Sequence, residues 1–573
     1  MSEGSSVGIR SRLAEALESA ARSLGVGEVP DLEFGRAKNA DHGDYASSAG
    51  LKLARTLRQP PPQIAARLAE SIVIPDGAAT AQAAGGYVNF RLANPWLQRL
   101  VGEVAAAGQG YGATDLGHGE RLQVEFLSTN PTGPLHIGHG RGAILGDSLA
   151  RLLEFTGHKP EREYYVNDQN TQARMFGESV YARLHGEPVP ERGYTGDYVA
   201  ELAELAKREL PGIEKLPQGE AEPKLRAFAI GVMVERIRAS VARLNVRYDE
   251  WFPESRLWEE GLPKLAIERL RESGLLVERD GALWFRPALE EEDGLSDQLP
   301  TAKDDRVVVR ATGEPTYFAS DLGYLLSRFE RRKFNRVIEV WGADHHGYVS
   351  RMKGAAAALG IDPENLVIIL NQMVNLKEGA AGSAGGAARS ASSKMSKRAG
   401  RFVTLDELVD EVGSDAVRYF YLLRSPDTTI EFDLELALSQ SNENPVYYAQ
   451  YAHARLFNIE LTATERHPRM REEADVTLLV NPWELDVARQ LAFWPEVVED
   501  ATRLMEPHRI PYYVHDLATA VHRFYHAGNE DGEHRVVVDD PVLTRARLEL
   551  CRAARHTLKT ALDLIGVSAP ERM

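Results

Sequence analysis

The sequence predicts an α/β protein built on a doubly wound parallel sheet, interrupted by an insertion and flanked by an N-terminal α+β module and a C-terminal all-α bundle. Three observations carry this. An apolar strand pattern, Leu122 to Leu127, runs through a Pro/Gly loop into a helical pattern and on to a second strand-like run, the β-loop-α-β order with which such sheets begin. Further strand patterns recur at Arg306 to Arg310, Val337 to Trp341 and Leu366 to Leu370. From Thr404 onward apolar residues return at three- and four-residue spacings with few strand signals, as in packed helices.

Residues 1–115 pair short helical patterns, such as Ile64 to Ile72, with an aromatic strand, GGYVNFRL, ending at Leu92. The first stretch, MSEGSSVGIRSRLAEALESAARSLG, has no apolar run of secretory length and reads as a surface amphipathic helix. Glycine-rich GQGYGATDLGHG, 108–119, predicts a boundary. The sheet domain then spans 116–410. Its loop runs from Thr129 to Pro134, its first helix from Gly138 to Phe155 with Gly157 as cap, and its second strand from Glu163 to Val166. Charged, helical residues 175–300 read as the insertion, after which the sheet resumes at Arg306. Segment 379–393, GAAGSAGGAARSASS, is too rich in Gly and Ser to fix one conformation and predicts a mobile loop. Residues 411–573 form the helical bundle.

At 573 residues the chain exceeds one core, and roughly 100 to 200 residues per domain gives three or four units. Hydrophobic content of 43% with 26% charged residues excludes a disordered chain. No window approaches the roughly 18 consecutive apolar residues of a membrane span. Cys551 is the lone cysteine, so no internal disulfide forms, which fits a reducing cytosol, and it reads as core filler. A net charge of −17 argues against general nucleic-acid affinity, so any RNA contact must use local basic faces. One candidate is Arg545, Arg547, Arg552, Arg555 and Lys559 in a predicted C-terminal helix. The alternative is an ordinary solvated helix face.

Two motifs carry chemistry. His136-Ile137-Gly138-His139 lies where the loop turns into the helix, and that N-terminus offers unpaired N–H groups and a positive dipole end to a phosphate. Imidazoles one turn apart add donors, while Gly138, Gly140 and Gly142 permit close approach; histidines at this spacing also occur as surface or packed residues. Gly138 to Ala143 imitates a dinucleotide fingerprint, but about ten residues separate Leu127 from Gly138 where the first glycine should follow the strand directly, which disfavours NAD. No P-loop pattern occurs. Lys394-Met395-Ser396-Lys397 stands downstream of the Gly/Ser stretch, before a helix that Thr404 could cap. Mobile lysines suit in-line displacement at phosphorus, where spreading charge needs neutralising; alone, this could be a solvated basic loop.

HIGH followed by KMSK is the signature of class I aminoacyl-tRNA synthetases, and the wider sequence resembles the arginyl-tRNA synthetase family of bacterial type. The resemblance rests on VEFLSTNPTGPLHIGHGRGAILGD (Val124 to Asp147), EPTYFASDLGY from Glu314, WGADHHGY from Trp341, the N-terminal GDYASSAGLKLA and GGYVNFRL, and the closing GVSAPERM. It spans nearly the whole chain. It implies a Rossmann-like catalytic domain, ATP-dependent activation of L-arginine to arginyl-adenylate with release of pyrophosphate, and transfer to the terminal adenosine of tRNA(Arg). It further implies that tRNA is needed before activation, that the bundle reads the anticodon and that the N-terminal module touches the D-loop corner.

Residue by residue, the resemblance implies that His136, His139, Lys394 and Lys397 hold the ATP phosphates, with Gly138 and Ser396 shaping the ATP site and Asp344 meeting ribose or adenine. Arginine recognition maps to Glu125, Asn130, Tyr317, Asp321 and His345, the last standing where some relatives carry Gln. A desolvated guanidinium needs carboxylates and planar acceptors placed for bidentate bonds. Such a site would reject lysine by on the order of 10⁴-fold, so editing is unnecessary. Adjacent His345 and His346 rarely ligate one ion, so no structural metal and no prosthetic group are expected, only ATP with Mg²⁺ as a substrate complex. The expected partners are tRNA(Arg), ATP and L-arginine, with no membrane, for a monomer in the cytoplasm.

Overall fold

The computed structural model describes residues 8–286, 306–377, 403–468 and 473–573. It divides into two compact units, one made of Met1–Leu116 with Gln440–Met573 and one of Gly117–Ser439. The expected loop at 379–393 and the KMSK residues Lys394, Ser396 and Lys397 lie outside the described residues.

The first unit opens with helix α1 (Ile9–Ser23), which turns Ile9, Leu13, Leu17, Ala20 and Ala21 inward at helical spacing. A four-stranded antiparallel sheet follows: β1 (Gly35–Arg36), β2 (Tyr45–Ser47), β3 (Ala79–Ala84) and β4 (Tyr87–Leu92), in the order β1-β2-β4-β3. Helices α2 (Ala49–Leu57), α3 (Pro61–Ser71) and α4 (Asn94–Ala107) complete this module.

The second unit holds a five-stranded parallel sheet of β5 (Arg121–Phe126), β6 (Lys159–Val166), β7 (Glu250–Pro253), β11 (Arg336–Gly342) and β12 (Leu366–Asn371), ordered β12-β11-β5-β6-β7. Between β5 and β6 runs α5 (Ile137–Phe155), buried on nearly every face from Gly140 to Leu153. It ends as predicted, with Gly157 in the left-handed region at φ 82° and its N–H on the Glu154 carbonyl. Gly146 is required for close packing: a Cβ there would meet the Phe126 ring at 2.2 Å. Helices α6 (Thr171–His185), α7 (Asp197–Glu209) and α8 (Gln218–Arg243) follow β6.

Two strands depart from the sequence reading. Arg306–Val309, expected to resume the parallel sheet, instead joins β8 (Leu276–Arg279) and β9 (Ala282–Phe285) as β10 in a separate antiparallel sheet. Only Val308 of this strand is fully buried, the signature of a strand covered on one face rather than two. Conversely, β7 falls inside the stretch read as a helical insertion, yet it is the edge of the parallel sheet. Its four residues end in proline, which an edge position tolerates and a periodicity test on so short a run misses. Beyond it come α9 (Glu254–Glu259), α10 (Leu262–Glu272), α11 (Tyr317–Leu326) and α12 (Val349–Ala358). The unit closes with β13 (Val374–Leu376), α13 (Leu405–Val412), α14 (Ser414–Tyr421), β14 (Ile430–Phe432), paired parallel to β13, and α15 (Leu434–Leu438).

Returning to the first unit, α16 (Pro445–Arg466), α17 (Pro482–Arg503), α18 (Arg509–Glu530) and α19 (Pro541–Leu564) form the bundle. It is fastened to the N-terminal module by specific bonds. Arg10 meets Asp500 bidentately at 2.6 and 2.7 Å, the Tyr45 hydroxyl donates to buried Glu496 at 2.9 Å, and Trp494 Nε1 donates to the Tyr111 carbonyl at 2.9 Å. Burial pushes the Glu496 carboxyl up to about 7, against the pull of Arg36 and Arg10. The basic face proposed on the last helix is taken up internally: Arg547 pairs with Glu484, Arg545 with Glu549, Arg552 and Arg555 with Glu460, and Lys559 with Asp563. Those side chains serve the bundle, with Arg545 and Arg547 buried, and do not form an open RNA-binding stripe. Cys551 is buried among them as core.

Gly146→Ala is expected to cost roughly 1–3 kcal/mol through overpacking against Phe126, read as a lower urea midpoint for the sheet unit; an unchanged midpoint would show that α5 can lift off β5.

Candidate functional site

The HIGH motif is first a piece of helix-end architecture. His136, extended at φ −94° and ψ 166°, is the N-cap of α5. Its Nδ1 accepts the Gly138 N–H at 3.0 Å, and His139 Nδ1 accepts the His136 N–H at 3.3 Å, a reciprocal capping box in which both partners are histidines. The rings stack with centroids 3.5 Å apart. With each Nδ1 an acceptor, the ring proton of each neutral imidazole sits on Nε2. Burial lowers both pKa values, that of His139 to about 3 with a further push from His136. The pair therefore works at neutral pH as uncharged N–H donors beside the helix dipole, not as cations. A Cβ on Gly138 would meet the His136 ring at 2.9 Å and one on Gly140 the Leu405 side chain at 2.6 Å, whereas Gly142 has ordinary clearance.

The chain that emerges after the KMSK segment docks on this same turn. The Ile137 N–H donates to the Val403 carbonyl at 3.3 Å, the Leu405 N–H to the Leu135 carbonyl at 2.8 Å, and the Tyr421 hydroxyl to the Ile137 carbonyl at 3.0 Å. Thr404 caps α13 in a box with Glu407, as its sequence position suggests. Buried Arg141, one turn into α5, donates to the carbonyls of Gln372, Thr428 and Ser425 at 2.7–2.8 Å and so ties α5 to the turn that follows β12 and to the stretch before β14.

A second cluster lies on the sheet. Strand register sets Glu339 of β11, Glu125 of β5, and Glu163 of β6 directly side by side. Three carboxylates on neighbouring strands repel unless compensated. The compensation comes from Ser327–Arg331, a single wide π turn continuing α11, and from the residue just after it. The guanidinium of Arg328, 1% exposed, bridges Glu125 and Glu339 and lies over the Tyr324 ring at 3.4 Å. Arg332 meets Glu163 and Glu161, and Tyr324 donates its hydroxyl to Glu163. Asp321, on α11, receives the hydroxyl of Tyr348. Burial pushes the carboxyls of Glu125 and Asp321 up to about 7 each; Arg328 lowers Glu125, and Tyr348 lowers Asp321, without cancelling that effect.

The structure thus draws Glu125 and Asp321 into one buried acid cluster. It joins Asn130 and Tyr317 through neighbouring residues at the start of α6. Asn170, the N-cap of that helix, donates to Asn130 Oδ1 at 2.5 Å, and Thr171 both donates its backbone N–H to the Tyr317 hydroxyl and accepts its proton, each at 2.6 Å. Leu127, at φ 71°, takes a left-handed turn unusual for leucine directly after β5, which aims the following loop at this place. Glu254, Ser320 and Tyr317 line a cavity of about 330 Å³ beside it. Asp344 and His345 stand apart from the acids, in a short 3₁₀ turn at the carboxyl end of β11, with side chains 83% and 59% exposed. Among the described residues no group of three or more His, Cys, Asp or Glu could hold a metal ion, and no helix is long and apolar enough to cross a membrane. Sequence reasoning missed Glu163, Glu339, Arg328 and Arg332. For Glu339 the available signal was a charge inside an otherwise apolar strand pattern, RVIEVWG.

The bundle carries a separate cavity of about 480 Å³, where the Arg455 guanidinium lies over the rings of Tyr451 at 4.4 Å and Tyr525 at 3.9 Å, with Arg535 and Met573 in the wall. Stacked aromatic and guanidinium planes of this kind suit an unstacked nucleobase.

An NMR titration is expected to find His139 uncharged throughout the neutral range, with a midpoint near 3; an imidazolium signal at pH 6 would remove the neutral-donor description of the motif.

Three family descriptions match the chain: "Arginyl tRNA synthetase N terminal domain" over residues 8–92, "tRNA synthetases class I (R), catalytic domain" over 102–187 and 196–428, and "DALR anticodon binding domain" over 449–573. The chain is 42% identical to the arginine–tRNA ligase of Moorella thermoacetica, covering 98% of each, and 42% identical to that of Desulforudis audaxviator, covering 100% of this chain and 99% of the relative. Among solved structures, Thermus thermophilus arginyl-tRNA synthetase superposes with a TM-score of 0.74 at 26% identity, over 98% of this chain and all of that one. The Plasmodium falciparum enzyme, at 16% identity and a TM-score of 0.73 over 99% of this chain and all of that one, shares the fold. With matches along both units and across nearly its full length, the chain belongs to the arginyl-tRNA synthetase family.

Proposed function

We propose that the chain is an arginine–tRNA ligase that recognises its amino acid through the buried acid row and activates it at the capped end of α5. The observation that carries the reading is a charge count. The guanidiniums of Arg328 and Arg332 are shared among Glu125, Glu339, Glu163 and Glu161, with Asp321 and Glu254 close by, so carboxylates outnumber these two cations. Burial pushes Glu125 and Asp321 toward the neutral acid, and the neighbouring carboxylates add to that push; a substrate guanidinium would favour their charged forms. Asn130 and Tyr317 are positioned to order the rest of the amino acid, and His345 is the remaining candidate contact.

In the first step the arginine carboxylate attacks the α-phosphorus of Mg-ATP in line, the bond from that phosphorus to the α,β-bridging oxygen breaks, and pyrophosphate leaves with that oxygen. His136 and His139 donate neutral N–H groups to phosphate oxygens at the helix N-terminus, with Gly138 keeping the ring of His136 in place. Asp344, open at the carboxyl end of β11, is the candidate for ribose or adenine. Lys394 and Lys397, with Ser396 shaping the segment, are assigned to the phosphates from sequence. Lys397 lies six residues before Val403, which hydrogen-bonds to the HIGH turn. In the second step the 2′-hydroxyl of the terminal tRNA adenosine attacks the arginyl carbonyl and AMP departs. The work is positioning and charge stabilisation, with no side-chain nucleophile. On this reading the Arg455–Tyr525 cavity takes an anticodon base, residues 1–115 touch the D-loop corner, 116–410 catalyse, 411–573 read the anticodon, and the protein acts as a cytoplasmic monomer.

Pyrophosphate exchange should depend on L-arginine and on added tRNA(Arg); exchange supported by another amino acid, or none with arginine and tRNA together, rejects the assignment. Arginine affinity should also follow pH. The free carboxyls of Glu125 and Asp321 titrate near 7 and must be ionised in the complex, so binding releases protons at lower pH and weakens as pH falls below 7. The loss should reach up to about tenfold per pH unit for each carboxylate that must ionise. Calorimetry in buffers of different ionisation enthalpy reads this directly, and an affinity flat between pH 6 and 8 would place recognition elsewhere.

A further inference from the structure

Tyr165 follows Glu163 by two residues on β6, so strand alternation puts it on the face of the acid row, one step nearer the carboxyl edge. It is 7% exposed, with its ring against Tyr324 at 4.5 Å between centroids and its backbone N–H held by Ser128 Oγ at 3.1 Å. Neighbouring phenols in the cluster are satisfied: Tyr324 donates to Glu163 and Tyr348 to Asp321. The Tyr165 hydroxyl, by contrast, is buried without a hydrogen-bond partner among the described residues. A buried polar atom left unpaired is costly and calls for an explanation in a native protein.

The surroundings supply one. After burial itself, the charges that most raise the pKa of this phenol are Glu254 of α9, Asp321 of α11 and Glu125 of β5, with Arg328 acting the other way. Glu254, itself buried and raised by that burial, also lines the cavity beside Tyr317 and Ser320. The hydroxyl therefore lies near carboxylates that would hold a ligand cation, and one of them, Glu254, lines the cavity. We propose that Tyr165 determines specificity for the amino-acid side chain, its hydroxyl oxygen accepting a guanidinium N–H of the substrate arginine held between Asp321 and Glu125. This rests on the acid row being the arginine site.

Tyr165→Phe removes one oxygen and keeps the ring. The arginine KM should rise about 10- to 100-fold, the range for losing a hydrogen bond to a charged group, while the KM values for ATP and tRNA stay put. The ligand-free melting temperature should hold or rise, because an unpartnered hydroxyl has been deleted, and the extra stabilisation produced by saturating arginine should shrink. An unchanged arginine KM overturns the proposal. So does a rise matched by an equal rise in the KM for ATP together with a lower ligand-free melting temperature, which would mark general damage. Asp321→Asn, measured alongside, separates the two readings: a normal arginine KM in that variant sinks the acid row as the site, whereas a raised one beside a normal Tyr165→Phe sinks only the role of Tyr165.

Discussion

One buried guanidinium holds the centre of the sheet unit together. Without Arg328, Glu125 and Glu339 would face each other across strands roughly 4.8 Å apart with their charges uncompensated and out of water. Removing one partner of such a buried arrangement typically costs about 3–5 kcal/mol, because the remaining charges stay buried. The π turn at Ser327–Arg331 is what delivers the side chain: it widens the end of α11 directly over the row. Sheet register, the helix ending and the electrostatics of the acid row are therefore one problem with one solution. The acids cannot be arranged for a ligand without also being arranged for Arg328.

The nucleotide end of the site shows the same economy. His136 and His139 close the first turn of α5 on each other, and that closure fixes which ring nitrogen carries the proton. On the proposed reading, the substrate would meet donors whose orientation was settled during folding. Preorganisation of this kind is what electrostatic catalysis requires, since dipoles already in place need no reorientation as charge develops. Arg141 extends it by fixing three carbonyls of the segments that surround α5.

Much of this was legible in the sequence, and the exceptions follow a rule. Strands β5, β11 and β12 declared themselves as apolar runs because both faces are covered, and α5 through its position between two such runs. What escaped depends on non-local register. Nothing local says that Glu125, Glu163 and Glu339 become neighbours, or that Arg328 points into the core. The edge strand β7 is too short for its period to register, and Arg306–Val309 was misassigned because an apolar run does not reveal which sheet it joins. The C-terminal basic helix left two readings open for a similar reason: some of its partners, Glu460 and Glu484, lie on other helices.

The anchoring of residues on either side of 378–402 has a corollary for chain length. The N–H of Lys377 is fixed to the Phe432 carbonyl and its side chain to Asp433, while Val403 and Leu405 are fixed to the HIGH turn. Residues added or lost between these two anchors would leave both fixed ends in place, whereas a change between Lys397 and Val403 would alter the sequence separation that links the KMSK lysines to the HIGH turn.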